Sequence, residues 1–317
     1  MFHSTPPALG SLTLAVSLAV LLTACGGGST SAEGAAAVFA STEVPSTQPA
    51  ASSATIAATD GASALAEMVF PAIDAAAPGR ATALAVNTAS SRELEVAYLN
   101  TVVSPNLVNY AHLDAAGTSS LEALRDGAGP FLGLRTYQGQ PLVNSGVRAE
   151  VSVDYPFVQG KTVRYSWRFG IRQDFISDSP NNRWWLFGDL HDQPNPNRGE
   201  TWTGFPAHSP SVGFGYGQIN GQDYLALLYG VPNPATVALI PFARGVWHSV
   251  VAEITWSQNA NGRIALYLDG SKTPVQTQGA NMYNDYQHYL KLGSYRDPGI
   301  AGDTWVYVRD VKIETLN

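Results

Sequence analysis

The chain has 317 residues and a formal net charge of −7 at neutral pH. With only 14% charged residues and an acidic balance, it offers no overall basic field to attract nucleic acid, so any anion-binding site has to be local. Aromatic residues reach 10%, with 7 Trp and 14 Tyr, a composition in keeping with secreted β-rich proteins that handle sugars.

Residues 9–25, LGSLTLAVSLAVLLTAC, form an apolar run that is too short and too early for a spanning helix and reads as an export signal. Its ending, Leu22-Thr23-Ala24-Cys25, resembles the bacterial lipobox. The resemblance implies a signal peptide over 1–24, cleavage before Cys25, and a lipid on Cys25 that anchors the chain to a membrane. Gly26 after the cysteine favours the outer membrane. Cys25 is the sole cysteine, so no internal disulfide is expected. Residues 25–95 are rich in Ala, Ser, Thr and Gly and short of large apolar side chains. Such a segment cannot offset its ordering entropy by forming a core, and it reads as a flexible tether.

From residue 96 the texture changes, and short runs of Val, Ile, Tyr, Trp and Phe alternate with polar residues between Gly, Pro and Asn turns. Nine strands are predicted: GVRAEVSVD, KTVRYSWRFGI, RWWLFGDLHD, SVGFGYGQI, QDYLALLYG, WHSVVAEITWS, GRIALYLDG, HYLKLGSYR and TWVYVRDVKIE. Asn220-Gly221, between two of them, predicts a two-residue hairpin. Many short antiparallel strands over residues 96–317 predict one all-β domain, a two-sheet jelly-roll sandwich with a concave groove on one sheet. The stretch from Trp247 to Gly270, a Trp opening one strand and Asp-Gly closing the next, resembles the concanavalin-like jelly rolls of lectins, glucanases and many polysaccharide lyases. His248 shares a strand face with Val250, Ala252 and Ile254 and is expected to be a buried structural histidine.

Period two sorts the faces of three other strands. In YLKLGSYR it sets Tyr289, Lys291, Gly293 and Tyr295 opposite Leu290 and Leu292. In GVRAEVSVD it sets Arg148, Glu150, Ser152 and Asp154 opposite Val147, Ala149, Val151 and Val153. In RWWLFGDLHD it sets Trp185, Phe187, Asp189 and His191 opposite Trp184, Leu186 and Leu190. If these rows share one sheet, Arg148, His191, Lys291 and Tyr295 converge, although Arg148 with Glu150 could equally be an ordinary cross-strand pair.

The blocks RAEV, DLH and YLKLGSY resemble the R-x-E, Q-x-H and Y-x-K-x-G-x-Y strands of jelly-roll polysaccharide lyases, both the alginate lyases of polysaccharide lyase family seven and the heparin-lyase and glucuronan-lyase group. The resemblance covers roughly residues 96–317. It implies β-elimination on a uronic-acid polymer of alginate or glucuronan type. Arg148 would bind the uronate carboxylate, Tyr295 would deliver a proton to the leaving O4, and either Tyr295 or His191 would take the C5 proton. Lys291, Glu150, Tyr289, Arg296 and Trp185 would line the substrate path, with Lys291 and Arg296 as cations near Tyr295 and Trp185 as a sugar platform. Asp189 departs from the pattern, because an amide stands there in the families. It could replace the amide only when protonated, or else orient His191 or a cation. No cofactor is required, and a structural calcium ion fits such folds without any ligand series here to mark it. The expected partner is an acidic polysaccharide, and the protein is expected to be a monomer. The E-x-D-x-x-E strand of jelly-roll glucanases is absent. A non-catalytic, lectin-like surface lipoprotein stays open as the alternative.

Overall fold

A computed structural model describes residues 82–83 and 91–316. The signal, the lipidated Cys25 and most of the tether expected from the sequence lie outside the described residues. A helix, α1 (Ser91–Leu99), crosses the expected limit at residue 95. It buries Tyr98 and Leu99 in the core, and its buried Glu95 accepts a hydrogen bond of 2.8 Å from the Leu113 backbone N–H.

The domain is two antiparallel sheets packed face to face. In chain order the strands are β1 (Thr82–Ala83), β2 (Ala111–Ala115), β3 (Leu121–Asp126), β4 (Gly129–Thr136), β5 (Val147–Val153), β6 (Thr162–Ile171), β7 (Trp185–His191), β8 (Val212–Ile219), β9 (Gln222–Tyr229), β10 (Ala235–Phe242), β11 (His248–Thr255), β12 (Arg263–Leu268), β13 (Val275–Gln278), β14 (Tyr289–Arg296) and β15 (Thr304–Leu316). One sheet runs β1-β3-β4-β15-β6-β11-β12-β13 and the other β10-β9-β8-β7-β14-β5-β2. All nine strands predicted from the sequence are present. Those it missed are short, as β2 and β13 are, or interrupted by Gly or Pro, as β4 and β10 are.

Alternation explains the layering. In β11, His248, Val250, Ala252 and Ile254 are buried while Ser249, Val251, Glu253 and Thr255 are partly exposed. His248 is the structural histidine expected: Nδ1 lies 2.7 Å from Asp269 Oδ2, and Nε2 lies 2.7 Å from the Ala243 carbonyl. Aromatic contacts join the layers, Phe169 of β6 stacking on Phe187 of β7 at 4.8 Å and Trp167 meeting Phe214 of β8 edge-on at 5.0 Å. Each such buried side chain contributes about 1.5–3 kcal/mol. The β8–β9 hairpin turns at Asn220 (φ 51°) and Gly221 (φ 80°), the left-handed pair that a two-residue turn of this type requires.

The structure corrects one face. Register shifts between Leu186 and Gly188, a β-bulge, so that Phe187 and Leu190, three residues apart, both point into the core. Trp185 lies on the core side with Phe187, 1% exposed, and donates its Nε1–H to Ser294 Oγ at 2.9 Å. It is a core residue and offers no sugar platform. Trp184 occupies the other face, edge-on to Tyr295 at 4.7 Å.

Candidate active site

The outer face of the seven-stranded sheet carries a polar row built from four strands that are remote in sequence. Register sets His112 of β2, Ser152 of β5, Lys291 of β14 and Asp189 of β7 on one rung. Asp114, Glu150 and Gly293 form the next rung, and Arg148 faces Tyr295 one step further along. His191 pairs with Tyr289 at the opposite end. Two glycines make the row fit. Gly293 has φ +147°, and a Cβ there would sit 2.2 Å from the Ala149 carbonyl, so β5 and β14 can approach only because position 293 has no side chain. A Cβ on Gly146 would sit 2.6 Å from the Tyr295 ring, which occupies that space.

Polar side chains in the middle of the row are buried and paired. Lys291 Nζ lies 3.3 Å from Asp114 Oδ2 and 3.6 Å from Glu150 Oε2, and 5.4 Å from the centre of the Tyr289 ring. Arg148 Nη1 donates to Glu150 Oε2 at 3.4 Å, and its guanidinium carbon stands 4.0 Å from the centre of the Tyr295 ring. Asp114 also accepts from Ser152 Oγ at 2.8 Å and Asn144 Nδ2 at 3.0 Å. Burial would raise the Asp114 carboxyl, but Lys291 first, then His112 and Arg148, hold it well below the usual carboxylate range. Burial would also lower Lys291 and Arg148, yet the neighbouring acids push both above their ordinary values. Tyr289 is pushed up to about 12, chiefly by burial, and stays a phenol. Two polar atoms in the row have no partner among the described residues: Arg148 Nε and Asp189 Oδ1.

At the other end His191 Nδ1 lies 2.9 Å from Asp192 Oδ1 and 3.0 Å from the Asp192 carbonyl, while Nε2 lies 2.9 Å from the His208 carbonyl. These three oxygens are all acceptors, so the ring can donate from both nitrogens only as the imidazolium. Burial opposes that charge, but the bond to Asp192 and its negative charge outweigh it, and the pKa of His191 is raised. An imidazolium has no lone pair with which to take a proton. In that state His191 is a hydrogen-bond donor at both ring nitrogens and a source of positive potential beside Tyr289. Asp192 Oδ2 holds a second imidazole, His208 Nδ1, at 2.5 Å, and the His208 ring stacks on Tyr283 at 4.0 Å. These residues border a cleft of about 480 Å³ whose rim includes Glu200, Phe205 and Asn284.

Arg148, Glu150, Asp189, His191, Tyr289, Lys291 and Tyr295 thus share one face. Arg296 does not. It follows Tyr295 directly, points to the opposite face, is fully buried, and gives Nη2 to the Gly302 carbonyl at 2.8 Å, so it is neither a substrate contact nor a cation beside Tyr295. Sequence reasoning missed Asp114, His112, Asp192 and His208. The alternation His-Leu-Asp in β2 was a readable signal for the first two; nothing local marked Asp192 or His208, which lie in a loop. Among the described residues no group of three or more His, Cys, Asp or Glu is arranged to hold a metal ion.

A protein-family model described as polysaccharide lyase matches residues 112–312. A comparison with curated proteins yields no match. Among solved structures, an endo-β-1,4-glucuronan lyase from the fungus Trichoderma reesei is 18% identical, covering 58% of this chain and 81% of its own with a TM-score of 0.43. A marine alginate lyase from Zobellia galactanivorans is 14% identical, covering 60% and 80% with a TM-score of 0.42. A marine alginate lyase from Aplysia kurodai is 12% identical, covering 62% and 88% with a TM-score of 0.44.

Proposed function

The chain belongs to the polysaccharide lyase family, and from that premise we propose that this carbon–oxygen lyase cleaves a uronic-acid-containing polysaccharide of alginate or glucuronan type by β-elimination. The observation that carries this reading is the Arg148 guanidinium stacked at 4.0 Å on Tyr295, with its Nε unspent. A guanidinium matches a carboxylate, and a phenol beside it can reach the atoms next to that carboxylate.

The proposed reaction begins when Arg148 binds the uronate carboxylate and lowers the cost of negative charge at C5. Tyr295, as its phenolate, takes the C5 proton. The electron pair left on C5 closes the C4–C5 double bond, the C4–O4 bond breaks with its pair on O4, and the proton passes from Tyr295 to O4. His191, already charged and held by Asp192, adds positive potential without exchanging a proton. The row contains few cations and an acidic chain surrounds them, which favours a carboxylated, unsulfated polymer over a sulfated one. In this proposal the enzyme is exported and held at the membrane by a lipid on Cys25.

The test is ultraviolet absorbance of the new double bond during incubation with alginate, glucuronan, hyaluronan and heparin. Absorbance is expected to rise on alginate or glucuronan and to fall by about 10²–10⁴-fold in rate with Tyr295→Phe, the usual contribution of a general acid and base. A flat trace on every polymer overturns the reading.

A further inference from the structure

The Arg, Lys and His cations of the outer face are matched by carboxylates other than Asp189. Arg148 and Lys291 supply two positive charges, and Asp114 and Glu150, in contact with them, supply two negative ones. The His191 imidazolium is matched by Asp192. Asp189 is left over. It is 1% exposed, sits in register between Lys291 on β14 and Gly213 on β8, and its Oδ1 has no partner among the described residues. A buried carboxylate without hydrogen bonds loses its hydration and gains only the pull of cations that other carboxylates already match, whereas the neutral acid loses far less. Its register partner on β8 is Gly213, which brings no side chain.

We propose that Asp189 is an un-ionised carboxylic acid in the free protein and that its O–H donates to the uronate carboxylate, neutralising it while the C5 proton leaves. The proposal rests on the lyase reading above. It assigns to a protonated acid the donor role for which an amide would serve at this position, and it explains how a site whose cations are already matched can still accept an anion. Arg148 holds one side of the incoming carboxylate through Nε. Asp189 shares its proton with the other oxygen. As negative charge spreads from C5 into the carboxylate, the shared proton moves toward the substrate oxygen, and it returns to Asp189 when the C4–O4 bond breaks, so no proton is gained or lost over the cycle.

The electrostatics agree. Burial and then the Glu150 charge raise Asp189, against Lys291, His191 and Arg148, which lower it, and the result is an acid pushed up to about 7. Below that pH the donor is present; above it two carboxylates face each other. Loss of the donor is expected to lower the kcat/KM of the wild type relative to Asp189→Asn by about tenfold per pH unit on the alkaline side of this value.

Two measurements test the proposal. Infrared difference spectra of the free protein, wild type minus Asp189→Asn, are expected to show the carbonyl band of one un-ionised carboxyl at pH 5 that disappears near pH 7; absence of that band at pH 5 overturns the proposal whatever the activity. Profiles of kcat/KM against pH on the polymer that the wild type cleaves are expected to lose the alkaline limb in Asp189→Asn, whose amide still donates, and to be depressed at every pH in Asp189→Ala, which cannot. An unchanged limb in Asp189→Asn, or equal activity of the Asn and Ala variants, overturns the donor role. If the wild type cleaves no polymer, the lyase reading fails, and the infrared band alone decides the state of Asp189.

Discussion

At the scale of single residues, Asp192 is a buried carboxyl shared by two imidazoles. It is fully buried and carries His191 on one oxygen and His208 on the other. Burial would raise its carboxyl, but the two imidazoles hold it well below the ordinary range. A carboxyl with a depressed folded-state pKa contributes stability above its unfolded value, near 3.9, and that contribution is lost as pH falls through the folded value. Asp192→Asn is therefore expected to cost about 3–5 kcal/mol at neutral pH, the usual cost of breaking a buried pair, read from the midpoint of denaturant unfolding. The variant should also lose less of its remaining stability than the wild type below pH 4. None of this was legible beforehand. His191 stood out in the sequence, but its charge state depends on a carbonyl seventeen positions away, and local spacing carries no information about that contact.

At the scale of elements, β14 holds the site together from both sides. Its outward residues form the row, and its inward Ser294 sits in a buried knot, bonded to Thr136 Oγ1 of β4 at 2.7 Å and to Trp185 Nε1 of β7 at 2.9 Å. The strand thus ties the seven-stranded sheet to its neighbour beneath the point where Tyr295 and Arg148 meet. Gly293 permits this by letting β5 approach. Gly293→Ala is expected to lower stability by about 1–3 kcal/mol through strain at a left-handed position, and more if the clash with the Ala149 carbonyl parts the strands. Loss of thermal stability together with loss of the Arg148–Tyr295 pairing, seen as a collapse of kcat, would identify the strand contact as the cause. Most of the strands were readable because alternation is a local property. The bulge in β7 was not, since one extra residue reverses every later side chain without altering composition, and this is why Trp185 was expected on the wrong face.

At the scale of the whole molecule, the domain begins at or before α1, whose Glu95 is bonded to β2, a strand of the polar row. The proposed anchor at Cys25 is far from this helix in sequence, so fixing the lipid should leave the active face free. Cys25→Ser is expected to move the protein from the membrane to the soluble fraction and to abolish incorporation of labelled fatty acid, with specific activity unchanged. Retention in the membrane fraction would reject the anchor.

The sequence by itself determined most of the longer strands and the two faces of β5, β11 and β14, because period two is written in near neighbours. It also supplied the polar blocks around Arg148, Asp189 and Tyr295 on which the family resemblance rests. Only the tertiary structure decided that β2, β5, β14 and β7 lie side by side, that Asp114 and Glu150 already match Lys291 and Arg148, and that Arg296 and Trp185 face the core. The physical reason is that the charge state of a buried group is set by solvent exclusion and by neighbours brought in from distant parts of the chain, and both exist only once the sheets have packed.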